Sequence, residues 1–142
     1  MKLVHEVFEE FTKAPDRNSK IEVLRKNDSF ALRSVLRGTF HPNIRYSIDR
    51  VPYYKVSDAP DGLGYTTIHS ELDRVYLFEE GHPRVSPNLT KQRKEQLLVQ
   101  MLESMEKQEA EIFMNMLLKK QSVPDLNPEI IEEAFPGLLA IA

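Results

Sequence analysis

The chain has 142 residues, of which 41% are hydrophobic and 29% charged, with a formal charge of −3. That length fits one domain with a real core, and that balance excludes wholesale disorder. It has no cysteine, which excludes disulfides, thiolate nucleophiles and cysteine-bound zinc.

The first element is predicted over residues 3–13. Leu3, Val4, Val7, Phe8 and Phe11 recur at helical spacing, and Glu6, Glu9 and Glu10 fill the other face. Ala14-Pro15 ends it. A second helix carries Ile21, Val23 and Leu24, with Asn18 or Ser19 as its cap. A third carries Phe30, Ala31, Leu32, Val35 and Leu36, with Asp28 as the expected cap and Gly38 as the expected stop.

Residues 40–65 are punctuated by His41-Pro42, Val51-Pro52, Ala59-Pro60 and Asp61-Gly62, which predicts a long ordered loop rather than a helix. Loops of that length are uncommon and often functional. Ile44, Tyr46 and Ile48 alternate, which leaves a place for one short β-hairpin or strand. A fourth helix is expected over residues 66–79, capped by Thr66 or Thr67, with an edge strand at Arg74–Phe78 as the rival reading.

The strongest periodicity covers residues 89–120. Leu97, Leu98, Met101, Leu102 and Met105 form one stripe, and Ile112, Phe113, Met116 and Leu117 repeat it. A break at Ser104–Glu106 would make two antiparallel helices; otherwise this is one long helix. Asn127-Pro128 reads as a cap followed by proline at the first helical position. Pro136-Gly137 stops that last helix. The tail Leu138-Leu139-Ala140-Ile141-Ala142 is uncharged and apolar, and it is expected to dock on the chain's own core or on a partner. These elements predict a mainly α, compact helical single domain spanning residues 1–142, with the irregular loop at about 40–65 and the apolar tail at 138–142.

No apolar run approaches the roughly 18–20 residues of a membrane span, so no membrane partner is expected. The opening Met1-Lys2-Leu3-Val4-His5-Glu6 lacks an apolar signal core, so no secretory signal is expected.

Charge is unevenly spread. Residues 17–55 hold nine bases, mostly arginine, against three acids, whereas residues 56–142 hold eight bases against fifteen acids. A basic segment in an acidic protein implies either an internal electrostatic match or a basic binding face. Arginine suits phosphate or carboxylate contacts. Aromatic residues interleave with these bases, as single-strand stacking platforms do, although the same rings also suit a core. Arg33 and Arg37 lie four apart, on one face of the third helix. The candidate contacts are therefore Arg33, Arg37, Arg45, Arg50, Tyr53 and Tyr54. The overall pI near 5.8 argues against strong non-specific DNA binding, so a protein partner ranks ahead of nucleic acid.

Catalytic signatures are absent. Five glycines spread over the chain build neither a dinucleotide fingerprint nor a phosphate loop. No serine elbow and no His-Glu-x-x-His run appear. Adjacent acids such as Glu9/Glu10 and Glu132/Glu133 point apart on a helix and make no dyad. His69 and Asp73 share a helix face and would need one other histidine to hold a metal. No catalytic residue, metal or cofactor is expected.

Several strings occur in order: Leu32 to Phe40 (LRSVLRGTF), Val51-Pro52-Tyr53-Tyr54, Arg93 to Met105 (RKEQLLVQMLESM), Glu109-Ala110, Lys119-Lys120 and Glu133 to Leu138 (EAFPGL). From about residue 30 onward the chain resembles an uncharacterised family of small proteins from T4-like tailed phages. The resemblance implies a phage protein made in the host bacterial cytoplasm. It implies no established activity and carries no catalytic residue over. The expected function is a non-enzymatic accessory protein that binds a component of the replication, transcription or host-defence machinery. A virion or assembly component, a single-stranded nucleic-acid-binding protein and a metal-dependent enzyme are the alternatives.

Overall fold

Alternating apolar and acidic positions make the first helix, α1 (Val4–Lys13), amphipathic, and it buries Val4, Val7, Phe8 and Phe11. Its N-terminus is closed by Glu6, whose Oε1 accepts the Leu3 N–H at 2.8 Å. These positions come from a computed structural model in which residues 3–48, 50–56 and 68–139 are described.

The second helix, α2 (Arg17–Lys26), starts two or three residues earlier than expected. Asp16, not Asn18 or Ser19, is the cap, and its Oδ1 accepts the Ser19 N–H at 2.8 Å. The third, α3 (Phe30–Phe40), is likewise capped by Ser29 rather than Asp28; Ser29 Oγ accepts the Leu32 N–H. Gly38 does not stop α3, which runs on to Phe40. It is a close-approach glycine: a Cβ there would sit 2.6 Å from the Tyr46 hydroxyl and 2.8 Å from Met116 Sδ.

The Ile44–Ile48 alternation yields no strand among the described residues. It yields one antiparallel bridge, Tyr46 to Glu79, flanked by Ser47 N–H to Phe78 O (2.7 Å) and Glu80 N–H to Arg45 O (2.8 Å). The fourth helix, α4 (Ile68–Glu71), continues as a 3-10 helix over Leu72–Phe78, so Arg74–Phe78 is not an edge strand. Thr66, Thr67 and the Asp61-Gly62 turn lie outside the described residues.

The 89–120 stripe divides into α5 (Lys91–Ser104) and α6 (Lys107–Leu117), so the single long helix is excluded. Met105 and Glu106 are both extended, with ψ of 151° and 157°, and both are buried. The last helix, α7 (Pro128–Ala134), is capped by Asn127 with proline in its first turn.

One core joins these elements, and α6 is central to it, packing on α1, α3, α4 and α5. Ala110, Ile112, Phe113, Met114, Met116 and Leu117 bury almost its whole circumference, as a helix surrounded by others must. α2 is held to α1 and α7. Leu138 and Leu139 pack on the core, and Glu132 ties them down by accepting the Gly137 and Leu139 N–H groups. The rest of the tail lies outside the described residues. The molecule is mainly helical and forms a single compact domain. No helix among the described residues is long and apolar enough to cross a membrane.

Candidate functional site

Most of the basic segment is consumed inside the molecule. Arg17 pairs with Glu133, Lys26 with Glu10 and Arg50 with Glu95. Arg25 pairs with Glu22 at 3.1 Å. Lys20 and Arg25 also serve helix C-termini, where unpaired carbonyls attract cations. Lys20 Nζ donates to Phe11 O at 2.9 Å at the end of α1, and Arg25 donates to Glu133 O at 3.0 Å near the end of α7. The internal electrostatic match is therefore extensive. Arg37, Arg45 and Lys55 are the bases of this segment whose side chains make neither an ion pair nor a helix-end hydrogen bond among the described residues.

The six candidate contacts fall into three places. Arg33 makes a two-pronged bond to Asp28, at 2.6 and 2.8 Å, and its guanidinium lies 4.7 Å from the Phe135 ring centre. It clamps the start of α3 to the end of α7. Its guanidinium also holds the Asp28 carboxyl below the usual aspartate range.

Arg45 lies beside Tyr46, and the charge of Arg37 is felt at the Tyr46 hydroxyl. Arg45, Tyr46, Ile48, Glu80, Leu118 and Lys119 line a recess of about 490 Å³. Burial raises the Tyr46 hydroxyl pKa, the Glu79 carboxylate raises it further, and the Arg37 charge opposes both. Lys119 is shifted down, first by burial and then by Arg37. Lys119 Nζ donates to Gly38 O (2.9 Å) and His41 O (2.8 Å), so it caps the end of α3.

The third place is an extended segment, residues 50–56, laid along α5. Arg50 anchors one end on Glu95 at 3.3 Å, and Glu103 accepts the Lys55 N–H at 2.7 Å at the other. Between them Tyr53 is 92% exposed and lines a groove with Pro52, Arg93, Gln96, Val99 and Gln100. Tyr54 turns the other way. It is half-buried on the core, and its hydroxyl pKa is raised by burial and by Glu111.

A further cluster was not legible in the sequence. His5 on α1 meets Glu109 on α6, with Nδ1 at 3.2 Å from Oε2, and the His5 backbone N–H donates to the same oxygen at 3.1 Å. Glu106 stands 3.9 Å from the ring. All three side chains are buried. Burial is the largest influence on Glu109 and raises its carboxyl pKa, against the His5 bonds that lower it. His5 and Glu109 are 104 positions apart, so no local pattern could pair them. Among the described residues no three His, Asp or Glu side chains are grouped to hold a metal ion.

A family model matches residues 7–123, most of the chain. The chain belongs to the family of unknown function DUF6433. The DUF6433 match takes in α3, the Tyr46 recess, the extended segment and α5–α6. His5 precedes it, and the Ala134-Phe135-Pro136-Gly137-Leu138 ending follows it. No curated protein matches the chain.

Proposed function

We propose that this DUF6433 protein is a non-enzymatic accessory protein of a tailed phage, acting in the host bacterial cytoplasm. It binds a protein component of the replication, transcription or host-defence machinery, and residues 50–56 form its docking strip. One observation carries this reading: Val51, Tyr53 and Val56, at 53%, 92% and 43% exposure, are three of the four exposed large hydrophobic residues among those described. Apolar side chains gathered on one exposed strip mark an interaction surface, and tyrosine is the residue type enriched there. Lys55 and Arg93 border the strip and favour an acidic partner, while Arg50 is paired with Glu95. Arg45 at the Tyr46 recess, with the Arg37 charge acting on the same tyrosine, extends the same preference. Arg33, spent on Asp28 and Phe135, is a weaker contact than its place in the sequence suggests.

Stacking of Tyr53 with a base beside Arg50 and Arg93 supports a second reading, single-stranded nucleic acid. Affinity capture from infected cells, with half of each eluate treated with nuclease, separates the two. The partner is expected to survive nuclease and to be lost with Tyr53→Ala combined with Val51→Ser. Both side chains are exposed, so the melting temperature of that variant should stay near the parent's. Loss of the partner on nuclease treatment moves the assignment to nucleic acid. Unchanged capture by the variant removes the strip from the interface.

A further inference from the structure

One row of α5 already holds an extended chain. Residues 50–56 run along this helix, fixed where Arg50 meets Glu95 and where Glu103 accepts the Lys55 N–H. Glu95, Val99 and Glu103 are spaced by four, so they share one row of the helix surface.

A second row lies beside the first and is open. Gln92, Gln96 and Gln100 repeat the spacing of four, three residues out of step with Glu95, Val99 and Glu103, and all three are exposed. They line a groove of about 460 Å³ into which Pro52, Tyr53 and Val99 bring apolar surface. A glutamine amide offers the same groups as a peptide bond, a carbonyl that accepts and N–H groups that donate. Of the three, Gln96 alone has a side-chain bond among the described residues. Its Oε1 accepts from Arg93 at 3.2 Å and keeps a second lone pair. Side chains four apart on a helix are spaced by about 6 Å. Two residues of an extended chain advance about 6.2–6.8 Å. Successive glutamines therefore meet every second peptide group of such a chain.

The remaining lining residues set what that chain carries. Arg93 and Glu95 are the charged ones. Glu95 is spent on Arg50, whereas Arg93 meets no acid among the described residues, so the groove attracts negative charge. Tyr53, 92% exposed, presents an aromatic face. Proline-rich segments dock on such faces, and being already extended they lose little entropy on binding.

We propose that this groove takes an acidic, proline-containing segment of the partner protein in an extended conformation, laid beside residues 50–56 along α5. Its peptide groups meet Gln92, Gln96 and Gln100, a proline meets Tyr53 and a carboxylate meets Arg93. The proposal rests on the docking-strip reading and adds to it the form in which the partner is read.

The test is a titration of the isotopically labelled full chain, followed by nuclear magnetic resonance, with a short end-blocked peptide of alternating glutamate and proline as the probe. The same peptide with lysine in place of glutamate is the control, at equal ionic strength. The acidic peptide is expected to give saturable shifts at the side-chain amides of Gln92, Gln96 and Gln100 and at Tyr53, and the basic peptide none. Gln96→Ala combined with Gln100→Ala should weaken the acidic peptide by about tenfold, the value of two neutral hydrogen bonds. Both positions are exposed and alanine is a strong helix former, so the melting temperature of that variant should stay near the parent's. Equal shifts from the basic peptide, absence of saturation, shifts at Tyr53 that miss the glutamine amides, or parent-like binding by the variant would each overturn the proposal. The docking strip itself falls on a different result, unchanged partner capture by Tyr53→Ala with Val51→Ser.

Discussion

Lys119 adopts a left-handed backbone, φ 62°, that glycine usually supplies. The bonds around it are those of a helix-ending motif: Lys120 N–H reaches Asn115 O, and Lys119 N–H reaches Met116 O, each at 3.0 Å. A non-glycine residue there costs on the order of 1–2 kcal/mol. The side chain offsets that cost by donating to two carbonyls at the end of α3. Hydrogen bonds from a charged donor contribute about 1.5–3 kcal/mol each at best, and partial exposure lowers that. Replacement therefore separates the two effects. Lys119→Ala keeps the strained backbone, loses the cap and should cost about 2 kcal/mol in urea denaturation. Lys119→Gly loses the same cap but relaxes the backbone, so it should lie about 1 kcal/mol above the alanine variant and below the parent. An alanine variant as stable as the parent would mean the cap contributes nothing, and a glycine variant as stable as the parent would mean it contributes only what the relaxed backbone regains.

The elements show what a sequence can and cannot reveal. α1, α5, α6 and α7 were legible because their apolar stripes are long and their breaks carry local signals, such as Asn127-Pro128. The caps of α2 and α3 were missed by a residue or more. In Asp16, Asn18 and Ser19, and again in Asp28 and Ser29, two or three competent caps stand close together. Asp28 is taken instead by Arg33. Gly38 was misread because a glycine near a helix end looks like a stop, whereas Tyr46 and Met116 need its missing side chain. The His5–Glu109 contact and the Tyr46 recess join distant segments and have no local signature. The C-terminal element adds a further device: Glu132 on α7 accepts Gly137 N–H at 2.6 Å and Leu139 N–H at 3.2 Å, holding Leu138 and Leu139 against the core. Glu132→Ala should release that turn. Amide exchange at Gly137 and Leu139 should speed up by about tenfold, with roughly 1 kcal/mol lost overall. Unchanged exchange at both amides would show that the apolar contacts alone hold the tail.

At the scale of the whole molecule, basic residues 17–55 face an acidic remainder, and titration should reveal both the surface match and the buried carboxylates. Two kinds of carboxyl shift in opposite directions. Asp16 and Asp28 sit below the usual aspartate range, through bonds from Ser19 and Arg33 respectively. Their contribution is present at neutral pH and is lost as pH falls through their lowered folded values. Glu109 sits above the usual glutamate range because it is buried; the groups facing it are His5 from α1 and Glu106 from the corner before α6. Between its unfolded and its raised folded value, the native state holds more protons than the unfolded chain. Stability therefore rises as pH falls through that window. The two effects act in sequence on acidification. Melting temperature should first climb below neutral pH and then fall as the aspartates protonate. Glu109→Gln keeps an oxygen for the His5 N–H but cannot titrate, so its profile should lose the initial climb and keep the later fall. Parallel profiles for parent and variant would show that burial of Glu109 imposes no titration-linked cost.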